Sequence, residues 1–136
     1  MSKDNFQLNL DDLMQKIKSK ITAKYDLIVG IARGGILPGY LASRYLNCPF
    51  ETLHLNFRDD NHVKSYDAPI LLKPISFKTE DLRILLFDDV ANSEATINKA
   101  KFLLSDAKSI TTCVISGKAD ISLYGPHDCC IKWPWD

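Results

Sequence analysis

No run in this chain approaches the length of an apolar membrane span, and Met1-Ser2-Lys3-Asp4-Asn5-Phe6 lacks the hydrophobic core of a secretory leader. A cytoplasmic protein is the expectation. Charge of one sign is missing too: 17 basic side chains balance 17 acidic ones, so bulk electrostatics offer nothing to a nucleic acid or an anionic membrane. Cysteine is scarce. Cys48, Cys113, Cys129 and Cys130 form neither a CxxC redox pair nor a zinc-ligand pattern, and read as free thiols in a reducing compartment. His54, His62 and His127 show no spacing that would gather a metal or a catalytic triad; His54 reads as a strand residue, the other two as loop residues. There is no Walker loop, internal repeat, low-complexity tract or linker. With 46% hydrophobic and 25% charged residues, the 136-residue chain is expected to form a single domain over residues 1–136 with a substantial core.

What is present alternates. Leu10, Leu13, Met14, Ile17 and Ile21 recur at helical spacing, and Asn9 can cap the first turn, which predicts a helix near 9–22. Leu27 to Ile31 is a short apolar run suited to a buried parallel strand, and Arg33-Gly34-Gly35 makes a turn into a helix over 36–45, where Pro38 sits in the first turn. Phe50 to Phe57 reads as a strand and 58–69 as a long polar loop. A further strand is expected over 70–77. Leu82–Phe87 predicts a central strand, Glu94–Leu104 a helix and Ile110–Ser116 another strand, ahead of a short aromatic tail. Strand and helix in turn point to a mostly parallel α/β sheet.

Two junctions carry chemistry. At Gly30-Ile31-Ala32-Arg33-Gly34-Gly35, glycines let the backbone turn sharply and bring N–H groups to an anion, and an arginine supplies charge; any strand-to-helix turn can also use Gly-Gly for packing alone. At Ile84 to Thr96, an apolar run stops on Asp88-Asp89 and a polar stretch leads into a helix. Adjacent carboxylates at the carboxyl edge of a sheet suit a sugar's hydroxyls, a hydrated cation, or both; the plainer alternative is acids that cap a helix or meet solvent.

Ile84 to Thr96 resembles the phosphoribosyl-pyrophosphate motif of the type I phosphoribosyltransferases, in which hydrophobic residues precede Asp-Asp and a Thr-Gly-x-Thr loop. Arg33-Gly34-Gly35-Ile36-Leu37-Pro38-Gly39 is similar to the pyrophosphate loop of the bacterial xanthine-guanine enzymes, Ser-Arg-Gly-Gly-Leu-Val-Pro-Gly, and Ile131-Lys132-Trp133-Pro134-Trp135-Asp136 to their Ile-Glu-Gln-Pro-Trp-Asp. The resemblance runs from about Tyr25 to Asp136. It implies a mostly parallel central sheet flanked by helices, with a small C-terminal hood.

The resemblance also assigns roles. Arg33, Gly34, Gly35 and, from the 58–69 loop, Lys64 would hold pyrophosphate. Asp88 and Asp89 would hold ribose and Mg²⁺. Asn92, Ser93, Glu94, Ala95 and Thr96 would form the 5′-phosphate loop, and Lys118, Ile131 and Trp133 would contact the base. Three positions depart from the pattern. Asn92 stands where an aspartate lies near the purine N7, Glu94 replaces a glycine beside the phosphate, and Cys130 replaces a base-stacking tryptophan. The implied activity joins xanthine, guanine or hypoxanthine to phosphoribosyl pyrophosphate with Mg²⁺, in a homodimer or homotetramer. The alternative is a catalytically weak or inactive module of the same fold that binds a nucleotide or phosphosugar in a regulatory or partner-binding role.

Overall fold

Apolar runs with no polar interruption end up in the middle of a sheet, since only there are both faces of a strand covered. Leu27–Ala32 (β2) and Arg83–Ala91 (β5) take those places. The computed structural model describes residues 5–56, 70–91, 94–126 and 130–134. The remaining elements are β1 (Asn5–Gln7), α1 (Leu10–Lys20), α2 (Ile36–Leu46), β3 (Phe50–Asn56), β4 (Ile70–Leu71), α3 (Glu94–Leu103), β6 (Ser109–Gly117), β7 (Ile121–Ser122) and β8 (Cys130–Lys132). The main sheet has the order β4-β3-β2-β5-β6-β7, parallel throughout except for β4, which runs antiparallel to β3. A separate two-stranded parallel pair, β1 with β8, makes the hood.

Alternation along the strands sorts the core into two layers. Ile28, Leu85, Phe87, Cys113 and Ile115 meet Leu13 and Ile17 of α1 and Ala42 of α2 on one face. Val29, Ile31, Ile84, Leu86 and Val114 meet Ile97 and Ala100 of α3, together with Leu104, on the other. Phe87 is fully buried, which by itself favours the folded state by about 2–3 kcal/mol.

Local signals account for the helices. The Asn9 side chain accepts a hydrogen bond from the Asp12 N–H at 3.0 Å, the predicted cap of α1. Pro38 falls in the first turn of α2, where its missing N–H costs nothing, and Asn47 closes that helix in the left-handed conformation. The thiols of Cys48 and Cys113 are free; Cys129 and the side chain of Cys130 lie outside the described residues.

Three expectations need correction. The strand predicted over 70–77 is only Ile70–Leu71, because Pro74 cannot donate to a ladder; Ile75 and Phe77 instead pack sideways onto the second core layer. The central strand does not stop at Phe87 but runs on through Asp88 and Asp89 to Ala91, carried by pairing of Asp88 with Val114 and Ala91 with Gly117. The aromatic tail contributes a strand, β8, that pairs with β1, so the hood draws on both ends of the sequence.

Polar contacts hold this frame. The Tyr124 hydroxyl donates to Asp12 Oδ2 at 2.7 Å, Lys16 Nζ lies 5.5 Å from the Tyr124 ring centroid, and Lys20 Nζ donates to the Ser122 carbonyl at 3.2 Å. Together they fasten α1 to the end of β7. At the amino ends of β2 and β5, Arg83 Nε and Nη2 each donate to the Asp26 carboxylate at 3.0 Å. That fork lowers the Asp26 pKa to about 2, first through the side-chain hydrogen bonds and then through the Arg83 N–H. A depressed acid contributes stability that is fully present above its unfolded pKa and fades as pH falls through the folded one. Acid titration followed by NMR should therefore find Asp26 at about 2. In Arg83→Ala it should return towards the ordinary 3.8, and that variant's acid unfolding should begin at higher pH.

Candidate functional site

The carboxyl ends of β3, β2 and β5 lie side by side, and the turn that leaves β2 folds down between them. Gly35 N–H donates to the Ile31 carbonyl at 2.8 Å and Ile36 N–H to the Arg33 carbonyl at 3.1 Å, which doubles the chain back into α2 within three residues. The Ala32–Arg33 peptide bond is cis. Two glycines are needed here for clearance. A Cβ on Gly34 would fall within the carboxyl group of Asp89, and a Cβ on Gly35 would overlap the Phe87 carbonyl and crowd the Ile31 N and O at 2.8 Å. The loop therefore rests directly on the acidic end of β5. One wall presents turn backbone and a carboxylate together.

The acids do not act as twins. Following Ile84, Leu85, Leu86 and Phe87, strand alternation starts Asp88 on the α3 face and Asp89 on the α2 face, and the contact between Gly34 and Asp89 agrees. Each carboxylate accepts the next residue's amide: Asp89 N–H reaches Asp88 Oδ1 at 2.8 Å, and Val90 N–H reaches Asp89 Oδ1 at 2.7 Å. Loss of water pushes the Asp88 carboxyl well above the usual carboxylate range, and the neighbouring Asp89 charge pushes it further. A dehydrated Asp88 carboxyl beside the Asp89 charge makes the pair suited to a cation or to hydroxyl groups.

Beyond β6, Asp120 Oδ2 accepts from the Thr112 N–H at 2.9 Å and from its hydroxyl at 3.1 Å, while the Asp120 N–H donates to that hydroxyl at 3.0 Å. This reciprocal lock fixes the turn bearing Lys118, which is exposed. Lys118 lines a depression of about 220 Å³ with Glu94, Asn98, Lys101 and Asp120. Glu94 is exposed in the first turn of α3, and Ala95 and Thr96 behind it are half-buried. Ile131 and Trp133 are half-buried in the hood, against the core layer that contains Phe87.

The sequence of residues 2–131 matches the family model described as the phosphoribosyl transferase domain. This chain belongs to the phosphoribosyl transferase family. Solved structures agree on the fold. A purine phosphoribosyltransferase from Pyrococcus horikoshii superposes with a TM-score of 0.79 at 21% identity, covering 97% of this chain and 94% of that one. A hypothetical protein from Neisseria gonorrhoeae with bound ppGpp gives 0.75 at 21% identity, covering 100% and 91%. The xanthine-guanine-hypoxanthine phosphoribosyltransferase of Helicobacter pylori gives 0.69 at 15% identity, covering 98% and 93%.

In this phosphoribosyl transferase domain, Arg33, Gly34, Gly35, Asp88 and Asp89 come together at one sheet edge, and Glu94, Ala95 and Thr96 begin the helix beyond it. Lys118 lies off the far side of β6, and Ile131 and Trp133 belong to the hood. Asn92, Ser93 and Lys64 lie outside the described residues. Among the described residues no group of three or more His, Cys, Asp and Glu side chains could hold a metal ion. Two carboxylates at a sheet edge still suit Mg²⁺, which is commonly held by one or two acids while water and substrate oxygens fill its remaining positions. No helix among the described residues is long and apolar enough to cross a membrane. Sequence reasoning put Arg33 to Gly35 at a strand-to-helix turn and the acids at the carboxyl end of a strand, but missed that Gly34 and Asp89 touch. The signal was a glycine pair facing an acid pair, and only the strand order makes them neighbours.

Proposed function

We propose that this chain is a purine phosphoribosyltransferase that transfers the 5-phosphoribosyl group of phosphoribosyl pyrophosphate to a 6-oxopurine (xanthine, guanine or hypoxanthine) and releases pyrophosphate. The observation that carries this reading is the seating of Gly34 on Asp89, which puts the glycine turn and a carboxylate in one wall. In the reaction a bond forms between C1′ and a purine nitrogen while the bond from C1′ to pyrophosphate breaks, through a cationic sugar. Nothing in this requires a covalent enzyme intermediate; alignment and charge stabilisation suffice. Arg33 and the 34–35 backbone hold the diphosphate and draw off its developing charge. Asp89, from the α2 side, and Asp88, from the α3 side, hold the ribose hydroxyls. The same two carboxylates would hold Mg²⁺, which when bound neutralises diphosphate charge. Ser93 and Thr96 take the 5′-phosphate with the amides that open α3, and Lys118, Ile131 and Trp133 take the base. Lys64 adds its charge to the diphosphate. A single cytoplasmic domain assembled as a homodimer or homotetramer completes the reading, in keeping with the exposed Tyr40 and Tyr45 on α2.

Pyrophosphate release from phosphoribosyl pyrophosphate and Mg²⁺ tests it, with xanthine, guanine, hypoxanthine, adenine, uracil and orotate as acceptors. Base-dependent release with one 6-oxopurine ahead is the expected result. Silence with every base, from folded protein, would sink it.

A second reading has its own support: a module that binds a nucleotide or phosphosugar without turning it over. Glu94 projects a carboxylate at the opening turn of α3, where a phosphate would prefer none, and Asn92 cannot accept a proton. The gonococcal protein of similar fold holds ppGpp, a phosphorylated nucleotide. The variant carrying Asn92→Asp and Glu94→Gly separates the two. Turnover that appears only in the double variant would mark the native chain as a binder; comparable turnover in both would favour the enzyme.

A further inference from the structure

We propose that His54 is a further ligand-binding residue at the sheet edge, donating a hydrogen bond from Nδ1 to the diphosphate held by the 33–35 turn. The inference rests on the phosphoribosyl-transfer reading above, to which it adds a residue. His54 lies near the carboxyl end of β3, in register with Ala32, the residue from which the Arg33-Gly34-Gly35 turn departs. Residues paired across parallel strands share a face, so His54 stands on the same side of the sheet as α2. Phe50 shows this directly: four residues earlier on β3 and on the same face, its ring abuts Gly30 of β2 and Gly39 of α2. β3, β2 and β5 are consecutive in the sheet, so His54, the turn and Asp89 form one row along its carboxyl edge.

The ring is held in place. Thr52 Oγ1 and His54 Nε2 are 3.1 Å apart, both half-buried on one face of the strand. When the threonine hydroxyl donates to Nε2, the ring proton sits on Nδ1, because the bond made at one nitrogen sets the state of the other. Among the described residues Nδ1 has no hydrogen-bond partner. A half-buried ring nitrogen that can donate, beside a turn suited to anions, is complementary to a phosphate oxygen. A purine edge or a ribose would be reached from the acids and the hood, farther along the row.

Calorimetric titration with magnesium pyrophosphate tests this, using the full chain. His54→Ala should weaken binding about tenfold, the loss expected for one hydrogen bond to a charged group, and should raise the KM for phosphoribosyl pyrophosphate while leaving that for the base unchanged. His54→Asn places an amide N–H near the Nδ1 position and should recover most of the affinity. His54→Gln, whose amide lies near Nε2, should not. Should His54→Ala fail to fold, the Asn and Gln variants decide alone: equal affinities overturn the assignment. Wild-type affinity in folded His54→Ala also overturns it and leaves the proposed function standing. A wild-type chain that binds no pyrophosphate overturns both.

Discussion

Gly35→Ala should lower the unfolding free energy by about 3 kcal/mol, the upper part of the usual range for overpacking a close contact. At this chain length that is a fall of roughly 10 °C in Tm. The added methyl would meet the Phe87 carbonyl and the Ile31 N and O, and backbone of two central strands cannot swing away as a side chain can. Relief would require parting β2 from the start of α2, through the hydrogen bonds Gly35 N–H to Ile31 and Gly39 N–H to Gly35. Thermal denaturation followed by circular dichroism measures it. A Tm within two degrees of wild type would mean that the turn is looser than its contacts indicate.

The neighbouring change should do the opposite. In Gly34→Ala the three atoms nearest the methyl all belong to the Asp89 carboxyl group, which can rotate, so the fold should survive with a small change in Tm. The rotated carboxylate, however, no longer lies against the turn. A displacement of about 1 Å in a positioning group can cost about 100-fold in rate, and a loss of that order is expected in kcat/KM for phosphoribosyl pyrophosphate. Pyrophosphate affinity should weaken with it. Measured side by side, the two alanine variants dissociate stability from binding at adjacent residues: one glycine serves the fold, the other the site. Equal losses of activity per degree of Tm would contradict that division.

Much of this was legible in the sequence, and the parts that were not have identifiable causes. The runs Leu27 to Ile31 and Ile84 to Phe87 could be read as buried strands because nothing polar interrupts them. Asn9 could be read as a cap because Asp12 supplies an amide at the right interval. The 70–77 segment misled because Leu71, Ile75 and Phe77 satisfy an apolar pattern through side-chain burial, while Pro74 denies the backbone its ladder. Extension of β5 through its acids was hidden because a carboxylate weakens any strand signal, whereas pairing with Val114, Ser116 and Gly117 of β6 stabilises those residues from outside the segment. The hood strands are three residues each, too short to carry a period. His54 passed as an ordinary strand residue; its interest comes from the strand beside it, which spacing along one chain does not encode.

The hood carries a consequence for the order in which the molecule assembles. Gln7 Nε2 donates to the Lys132 carbonyl across 125 residues of chain, and Leu8 N–H reaches that same carbonyl at 2.8 Å. The main sheet grows instead by successive crossovers of a few tens of residues. Loop closure across nearly the whole sequence is entropically costly until those intervening strands have already drawn the ends together. β1 and β8, each other's only strand partners among the described residues, should therefore join last and separate first. Amide protons at residues 5–8 and 130–132 should exchange with solvent well before those of β2, β5 and β6. Ile131 lies in that pair and Trp133 beside it, so on the proposed reading the base contacts would open before the sheet edge that bears Arg33 and Asp89.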